Sequence, residues 1–389
     1  MRYHDTVMDT QQKLDILSRD AQYDLSCSCG TPDTTDHRRR SSDGSAWLYP
    51  VTAASGGSSI MLKTLMGNRC SNDCRYCPLR STQDFRPALL SPDEVASFFI
   101  DLARQRQLVG LFLSSAVIGT SDKTMQLLID TAKILRQRYR YRGFIHLKVI
   151  PGCSLAAIDE ALKYASALSL NIEVPSKDHF ARLCSRQDWD DDIIAPLHYL
   201  AAKTAAGTEY AGVGISSQFI VGASDESDRQ IIGRVNELYS TLGVERIYYS
   251  AYQRGLGDAS IPGEQRAPIE PDLFGMERSS QPLMREHRLY QADWLLRVYG
   301  FGHDELIFGD DGQLSLERDP KRMWAEANAD RFPLSVNRAS KEELLRVPGI
   351  GPVWANRIIA QRRRGRIGAL DSLGLPLSLT RAAQPFLCV

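Results

Sequence analysis

No apolar run in the sequence is long enough to span a bilayer, and the first twenty residues, MRYHDTVMDTQQKLDILSRD, are too polar for a secretory signal. Net charge is also lacking, since 47 Lys and Arg balance 47 Asp and Glu. The total therefore gives no reason to expect a polyanionic partner, although it leaves room for a local patch. Cysteine is sparse, at eight in 389 residues. These absences predict a cytoplasmic chain in a reducing compartment, where cysteines serve as thiols or metal ligands rather than disulfides. The composition is that of a globular protein, 43% hydrophobic and 24% charged, with length for two or three domains.

Hydrophobic patterning divides the chain. A short helix is expected at 9–20, then a loop at 23–45 rich in Ser, Thr, Asp and Gly. Strands are expected at 58–66, 108–118, 143–151, 167–175, 214–222 and 245–252. Helices are expected between them at 91–107, 121–140, 154–166, 193–206 and 227–243. Six strands alternating with helices predict parallel βα units, either in an open doubly wound sheet or in an incomplete (β/α) barrel.

Three of the eight cysteines crowd into NRCSNDCRYCPLR (68–80), spaced C-x3-C-x2-C at Cys70, Cys74 and Cys77. The stretch follows the first strand, so it falls at a strand's C-terminal end, where α/β folds place their chemistry. A structural zinc site wants a fourth ligand. The candidates Cys27 and Cys29 lie some forty residues upstream, and no histidine falls within the run. A redox C-x-x-C made of Cys74 and Cys77 has no need of Cys70. A 4Fe–4S cluster on three thiolates, with one iron left open, accounts best for the count. Three unrelated free thiols are the plain alternative.

With an aromatic residue, Tyr76, before the last cysteine, this motif resembles the signature of the radical S-adenosylmethionine (SAM) enzymes. The resemblance implies a 4Fe–4S cluster on Cys70, Cys74 and Cys77, with SAM chelated to the fourth iron. It implies a one-electron reductant such as flavodoxin or ferredoxin, and cleavage of SAM to a 5′-deoxyadenosyl radical that takes hydrogen from a substrate. It also implies SAM contacts at later strand ends. Ser114 and Ser115 in LSSAVIG stand where the family has a Gly-Gly-Glu-like turn, here without the acid. Asn171 and Glu173 in NIEVPS stand at the ribose position and share one side of the expected strand. SQFIVGASDE resembles the adenine-packing segment, with Ile220 and Gly222 matching and Asp225 or Glu226 as the acid, and YYSAYQ would complete that pocket. Lys148 in IHLKVI would meet the SAM carboxylate or a substrate phosphate, or else reach to the barrel rim. His146 beside it reads as structural. The resemblance covers residues 58 to about 300.

The C-terminal region holds the local patch. Nine basic residues lie between Arg331 and Arg366, against Glu342 and Glu343 alone, a local excess of seven. Ser340 and Glu343 form a capping box, PGIGP makes a tight turn, and Pro352 starts a second helix. Backbone N–H groups at such a turn make an anion site. The stretch 335–367 resembles the helix-hairpin-helix motif, through Leu345, Pro348, Gly349, Ile350, Gly351, Ala355 and Ile358. The motif implies sequence-independent contact with the DNA backbone by Lys341, Arg346, Gly349, Ile350, Gly351, Arg357 and Arg362. A protein-docking hairpin is the plain alternative. The tail beyond 367 reads either as a second, degenerate hairpin or as a helix that packs back.

The expected architecture is α/β. Residues 1–57 form an N-terminal helix and loop, 58–300 a partial (β/α)6 TIM-like barrel of the radical SAM type, 301–334 a connector, and 335–389 a small all-α helix-hairpin-helix module. This pairing resembles a bacterial family of radical SAM proteins assigned to DNA modification or repair, whose members are typically encoded beside a uracil-DNA glycosylase-like protein. That resemblance implies radical chemistry on DNA, with the glycosylase-like protein as an implied partner. Two other readings stay open. One is a radical enzyme acting on tRNA or a small molecule, with the hairpin docking a protein. The other is a non-catalytic DNA-binding iron–sulfur redox sensor.

Overall fold

The computed structural model describes residues 8–21, 47–52, 58–106, 108–265 and 280–389. The expected loop at 23–45, with Cys27 and Cys29, lies outside the described residues. Those that are described fall into two compact units. One takes residues up to Glu226 and then Glu237–Glu277, and the other takes Ser227–Asn236 and Arg278–Val389. No helix among the described residues is long and apolar enough to cross a membrane.

The first unit opens with α1 (Thr10–Asp20) and β1 (Leu48–Thr52), then alternates: β2 (Ser58–Leu65), α2 (Pro92–Gln105), β3 (Leu108–Ser114), α3 (Ser121–Gln137), β4 (Phe144–Lys148), α4 (Leu155–Leu162), β5 (Ala167–Ser169), α5 (Lys177–Leu183), α6 (Ala195–Thr204), β6 (Gly214–Val221), α7 (Asp228–Leu242, of which this unit takes the residues from Glu237), β7 (Arg246–Ala251) and the short α8 (Pro262–Gln265). β1 is antiparallel to β2, and β2 to β7 are all parallel. The strands lie side by side in chain order. A doubly wound sheet reverses its strand order at a switch point. This sheet never does, so the architecture is the incomplete barrel, with β1 as an edge strand that hydrophobic patterning missed.

Local chemistry sets the element ends. Ser91 caps α2 in a reciprocal box with Glu94, Thr120 caps α3, and Ser154 caps α4. Leu62, Leu111, Leu113, Leu147, Leu168 and Phe219 are buried within the sheet's core. The expected strand 167–175 is observed only as 167–169. The Ser217 hydroxyl donates to the Leu170 carbonyl and accepts from Ile172 N–H. Glu173 then turns into the left-handed region, at φ 63°. A side chain thus spans the break in the ladder, and backbone pairing resumes where Glu173 N–H donates to Gln218 O and Glu173 O accepts from Ile220 N–H.

The second unit contains α9 (Ser280–Arg297), α10 (Pro320–Ala327), β8 (Leu334–Ser335), α11 (Lys341–Arg346), α12 (Pro352–Arg364), α13 (Leu377–Ala383) and β9 (Leu387–Cys388). Residues expected as a connector are packed into it. Phe301 meets Trp324 edge-on at 5.2 Å, Trp324 meets Phe332, and Phe332 meets Phe386 at 5.1 Å. β8 pairs in parallel with β9, so the tail packs back.

Glu94 ties α1 to α2. Its carboxylate accepts from Lys13 Nζ at 2.7 Å, from Thr10 Oγ1 and from Ser91 N–H. Partial burial raises its pKa, but these donors outweigh that and hold it down at about 2. Its contribution to stability is therefore complete above the unfolded value near 4.5 and is lost as pH falls toward 2. Glu94→Gln is expected to lower stability by about 1–2 kcal/mol at pH 7, allowing for solvent screening, with a penalty that shrinks below pH 4.5. Urea unfolding at both pH values measures this.

Candidate cofactor site

The cysteine stretch leaves β2 and runs to α2 without strand or helix of its own, so beyond short turns such as Cys77 N–H to Cys74 O its backbone groups find partners in other segments. At its base, buried Asn68 donates to Asp20 Oδ2 at 2.7 Å and to Arg86 O, and accepts from Ala88 N–H. At its far end, buried Arg80 donates to the carbonyls of Cys77, Leu256 and Gly257. Arg75 O accepts from Asp258 N–H, and Arg75 N–H donates to Leu183 O, both at 2.7 Å. Between these, Asp73 accepts from the N–H groups of Ser185 and Arg186, from the Ser185 hydroxyl and from the Cys184 thiol. The Arg186 guanidinium returns a bond to Ser71 O. The segment after α5 is thus a strap laid across the cysteines.

Cys70, Cys74 and Cys77 line one cavity. Ser114 and Ser115 from the end of β3, Lys148 from β4, Asn171 and Glu173 beyond β5, and Ile220 from β6 line it too, as does Tyr76. Asn171 Nδ2 donates to Glu173 Oε1 at 3.1 Å. Sequence alternation expected these two side chains on one strand face. They reach the cavity beyond the strand instead, Glu173 from its left-handed backbone.

Gly222 is not among the lining residues. It adopts φ 93°, and its N–H donates to buried Glu226 Oε1 at 2.7 Å. Of the two candidate acids, Glu226 thus folds back onto the turn, while Asp225 pairs with Arg182. Tyr252, in the stretch expected to complete an adenine pocket, donates its hydroxyl to Glu264. His146 packs edge-on against Phe112 at 4.6 Å, which fits a structural role.

Electrostatics in the cavity follow from burial. Burial pushes the Cys77 thiol up to about 12, and nearby Glu173 adds to this while Lys148 opposes it. Cys70 is raised by burial, although Asn72 and Val117 each aim an N–H at its sulfur at 3.4 Å. Tyr76 is raised well above its usual range by burial and then by Glu173. Cys74 keeps its proton through its bond to Cys184 and its burial.

Thiols of this kind become ligands when a metal displaces their protons into solvent. Among the described residues, no three His, Cys, Asp or Glu side chains stand together as a formed metal site. The donor set still fits a thiolate-bound cluster: three thiols from one loop open into one cavity, and backbone N–H groups already address the sulfur of Cys70.

Sequence reasoning missed Asp20, Gln187 and the strap, and had Gln218 only within the SQFIVGASDE segment. Asp20 lines the cavity, as do Gln187 and Gln218. Cys184 lies 110 residues from Cys74 in sequence, and their sulfurs are 3.8 Å apart. No local spacing announces such a pair.

In the second unit the capping box at Ser340 and Glu343 forms in both directions, and Pro352 opens α12. Gly349 needs its glycine: φ is 81°, and a Cβ would lie 3.0 Å from Leu379 O in α13. Ile350 is buried, its N–H donates to Val347 O and its carbonyl accepts from Lys321 Nζ at 2.5 Å. Burial lowers Lys321 to about 7. A Cβ on Gly351 would lie 3.1 Å from Tyr299 Oη.

The basic residues divide. Arg346 pairs with Glu305 and lies over Phe301 at 3.9 Å and Trp324 at 4.8 Å. Arg362 donates to the carbonyls of Val336 and Ala339. These two serve as internal struts. Lys341, Arg357, Arg363, Arg364 and Arg366 are exposed.

Residues 334–360 match the family described as the helix-hairpin-helix motif. No curated protein sequence matches the chain. Several solved structures resemble it at low identity. Methylornithine synthase (PylB) is 12% identical over 61% of this chain and 68% of its own, with a TM-score of 0.43. A radical SAM methyltransferase from Sphaerobacter thermophilus is 14% identical over 61% and 74%, with a TM-score of 0.37. The FeFe-hydrogenase maturase HydG from Carboxydothermus hydrogenoformans is 16% identical over 70% and 66%, with a TM-score of 0.41.

Arg80→Ala strips three carbonyls of their shared donor, and is expected to cost about 1–3 kcal/mol. It should also speed alkylation of Cys77 relative to buried Cys153, read by mass spectrometry after a timed iodoacetamide pulse.

Proposed function

We propose that the protein is a radical SAM enzyme that acts on nucleic acid, with DNA as the substrate class. One observation carries the reading: the three motif cysteines open into a single cavity that also receives Lys148, Asn171 and Glu173 from successive strand ends. A structural zinc knuckle has no use for polar groups gathered opposite its thiols, whereas a cosubstrate bearing amino, carboxylate and ribose groups does.

Cys70, Cys74 and Cys77 would hold a 4Fe–4S cluster. Bound there with SAM, the cluster supplies one-electron reductive cleavage and hence a carbon radical. The chain's own residues supply placement. Lys148 provides a cation for the carboxylate of SAM. Asn171 and Glu173, joined by their hydrogen bond, offer a donor and an acceptor to the ribose hydroxyls. Ile220 gives an apolar wall for the adenine. The carbonyls near Ser115 stand in for the acid that the turn lacks, as acceptors for the amine. Asp73 and Arg80 keep the loop in register with these groups.

The helix-hairpin-helix match and the exposed cations on and beside α12 support contact with a phosphate backbone. A base within a duplex would have to leave the stack to be reached, so single-stranded DNA is the simpler substrate. Lys341 and the arginines at 357, 363, 364 and 366 would carry the phosphate contact, because Arg346 and Arg362 are committed to internal bonds.

The deciding experiment is anaerobic. Reconstituted protein with dithionite and SAM should release 5′-deoxyadenosine, more so with DNA present, and Cys74→Ala should release none. A fully loaded protein that forms no 5′-deoxyadenosine would reject the catalytic reading and favour a redox sensor. In fluorescence anisotropy, affinity for DNA should fall with salt. Arg363→Ala with Arg364→Ala should weaken binding alike for all sequences and reduce the log–log salt slope by about 1–2. Arg346→Ala should lower the melting temperature instead. Binding that ignores salt would favour the protein-docking hairpin.

A further inference from the structure

Cys184 has no part in holding a three-thiolate cluster, yet the fold brings it to one of the ligands. Its sulfur lies 3.8 Å from that of Cys74, about the contact distance of two sulfur atoms. The placement is fixed from several directions. The residues beside the pair are joined by the backbone bond from Arg75 N–H to Leu183 O. Asp73, next to Cys74, accepts from the Cys184 thiol and from the N–H groups of Ser185 and Arg186. Gln187 Oε1 is within reach of both thiols, at 3.7 and 3.4 Å. Cys70, by contrast, has its sulfur engaged by the N–H groups of Asn72 and Val117.

We propose that Cys74 and Cys184 form a disulfide when the chain is without its cluster, and that this bond withholds Cys74 from cofactor assembly until it is reduced. The oxidant is a low-molecular-weight disulfide such as oxidised glutathione. Each cysteine gives up its S–H hydrogen as a proton, one S–S bond forms between them, and the two electrons cleave the S–S bond of glutathione, which leaves as two thiols. The bond rests on the geometry above. Its effect on loading rests also on the reading of Cys74 as a cluster ligand.

The test uses the full chain, purified free of iron and treated anaerobically with oxidised glutathione. Free thiols are then blocked and the peptides mapped by mass spectrometry. The expected product is a peptide pair linked through Cys74 and Cys184, absent from Cys184→Ser. Iron uptake on reconstitution should fall several-fold in the linked protein and recover after dithiothreitol, while Cys184→Ser that has not met the oxidant should load as fully as reduced wild type. Cys74 and Cys184 remaining free, or Cys74 linking to Cys70 or Cys77, would overturn the proposal, as would a linked protein that loads iron fully. If the link forms but the reduced wild type takes up no iron, the disulfide stands and the cluster reading fails.

Discussion

Everything at the candidate site depends on how a loop without regular structure is held still. Thirteen residues carrying three thiols make few backbone bonds among themselves, from Cys77 N–H to Cys74 O and from Arg80 N–H to Cys77 O, and meet their other partners in neighbouring segments. Three side chains add anchors to those neighbours. Asn68 fixes the entry, Asp73 the middle and Arg80 the exit, each through multiple bonds to backbone or to a second polar group. All three lie within the cysteine stretch itself. The sequence around the ligands is thus as constrained as the ligands, though for mechanical reasons, since a cofactor held on a loose loop could not be aimed.

The strand order shows why the cavity sits where it does. Parallel strands laid down in chain order bring all their C-terminal ends to one rim. Residues separated by more than a hundred positions therefore meet there. β2, β3, β4 and β6 each contribute one or two side chains, and Asn171 and Glu173 come from just beyond β5.

Much of this was legible from periodicity. The βα alternation, the cysteine loop's place after the first parallel strand, and the capping box with its following proline all follow local rules that the fold obeys. The choice between two kinds of parallel sheet was not legible from periodicity, because strand order is a tertiary property, and it came instead from the resemblance that the cysteine motif carries. Nor was β1, a short edge strand adjoining residues of loop-like composition. Asn171 and Glu173 line the cavity by a route that alternation did not foresee, through a serine hydroxyl from β6 and a left-handed glutamate. Cys184 and Arg346 were illegible in different ways. The partner of Cys184 is remote in sequence, whereas Arg346 has the character of surface charge until the aromatic pair beneath it is known.

The second unit closes on a parallel ladder between Leu334–Ser335 and Leu387–Cys388. These segments lie about fifty residues apart, with the whole hairpin between them. During synthesis, α11 and α12 therefore emerge well before the strand that completes their unit, and before α13, whose backbone crowds Gly349. The ribosome's pace thus sets an interval in which the hairpin exists without its cover. Assembly of this unit is consequently late, and it depends on residues far outside the stretch by which the motif is recognised.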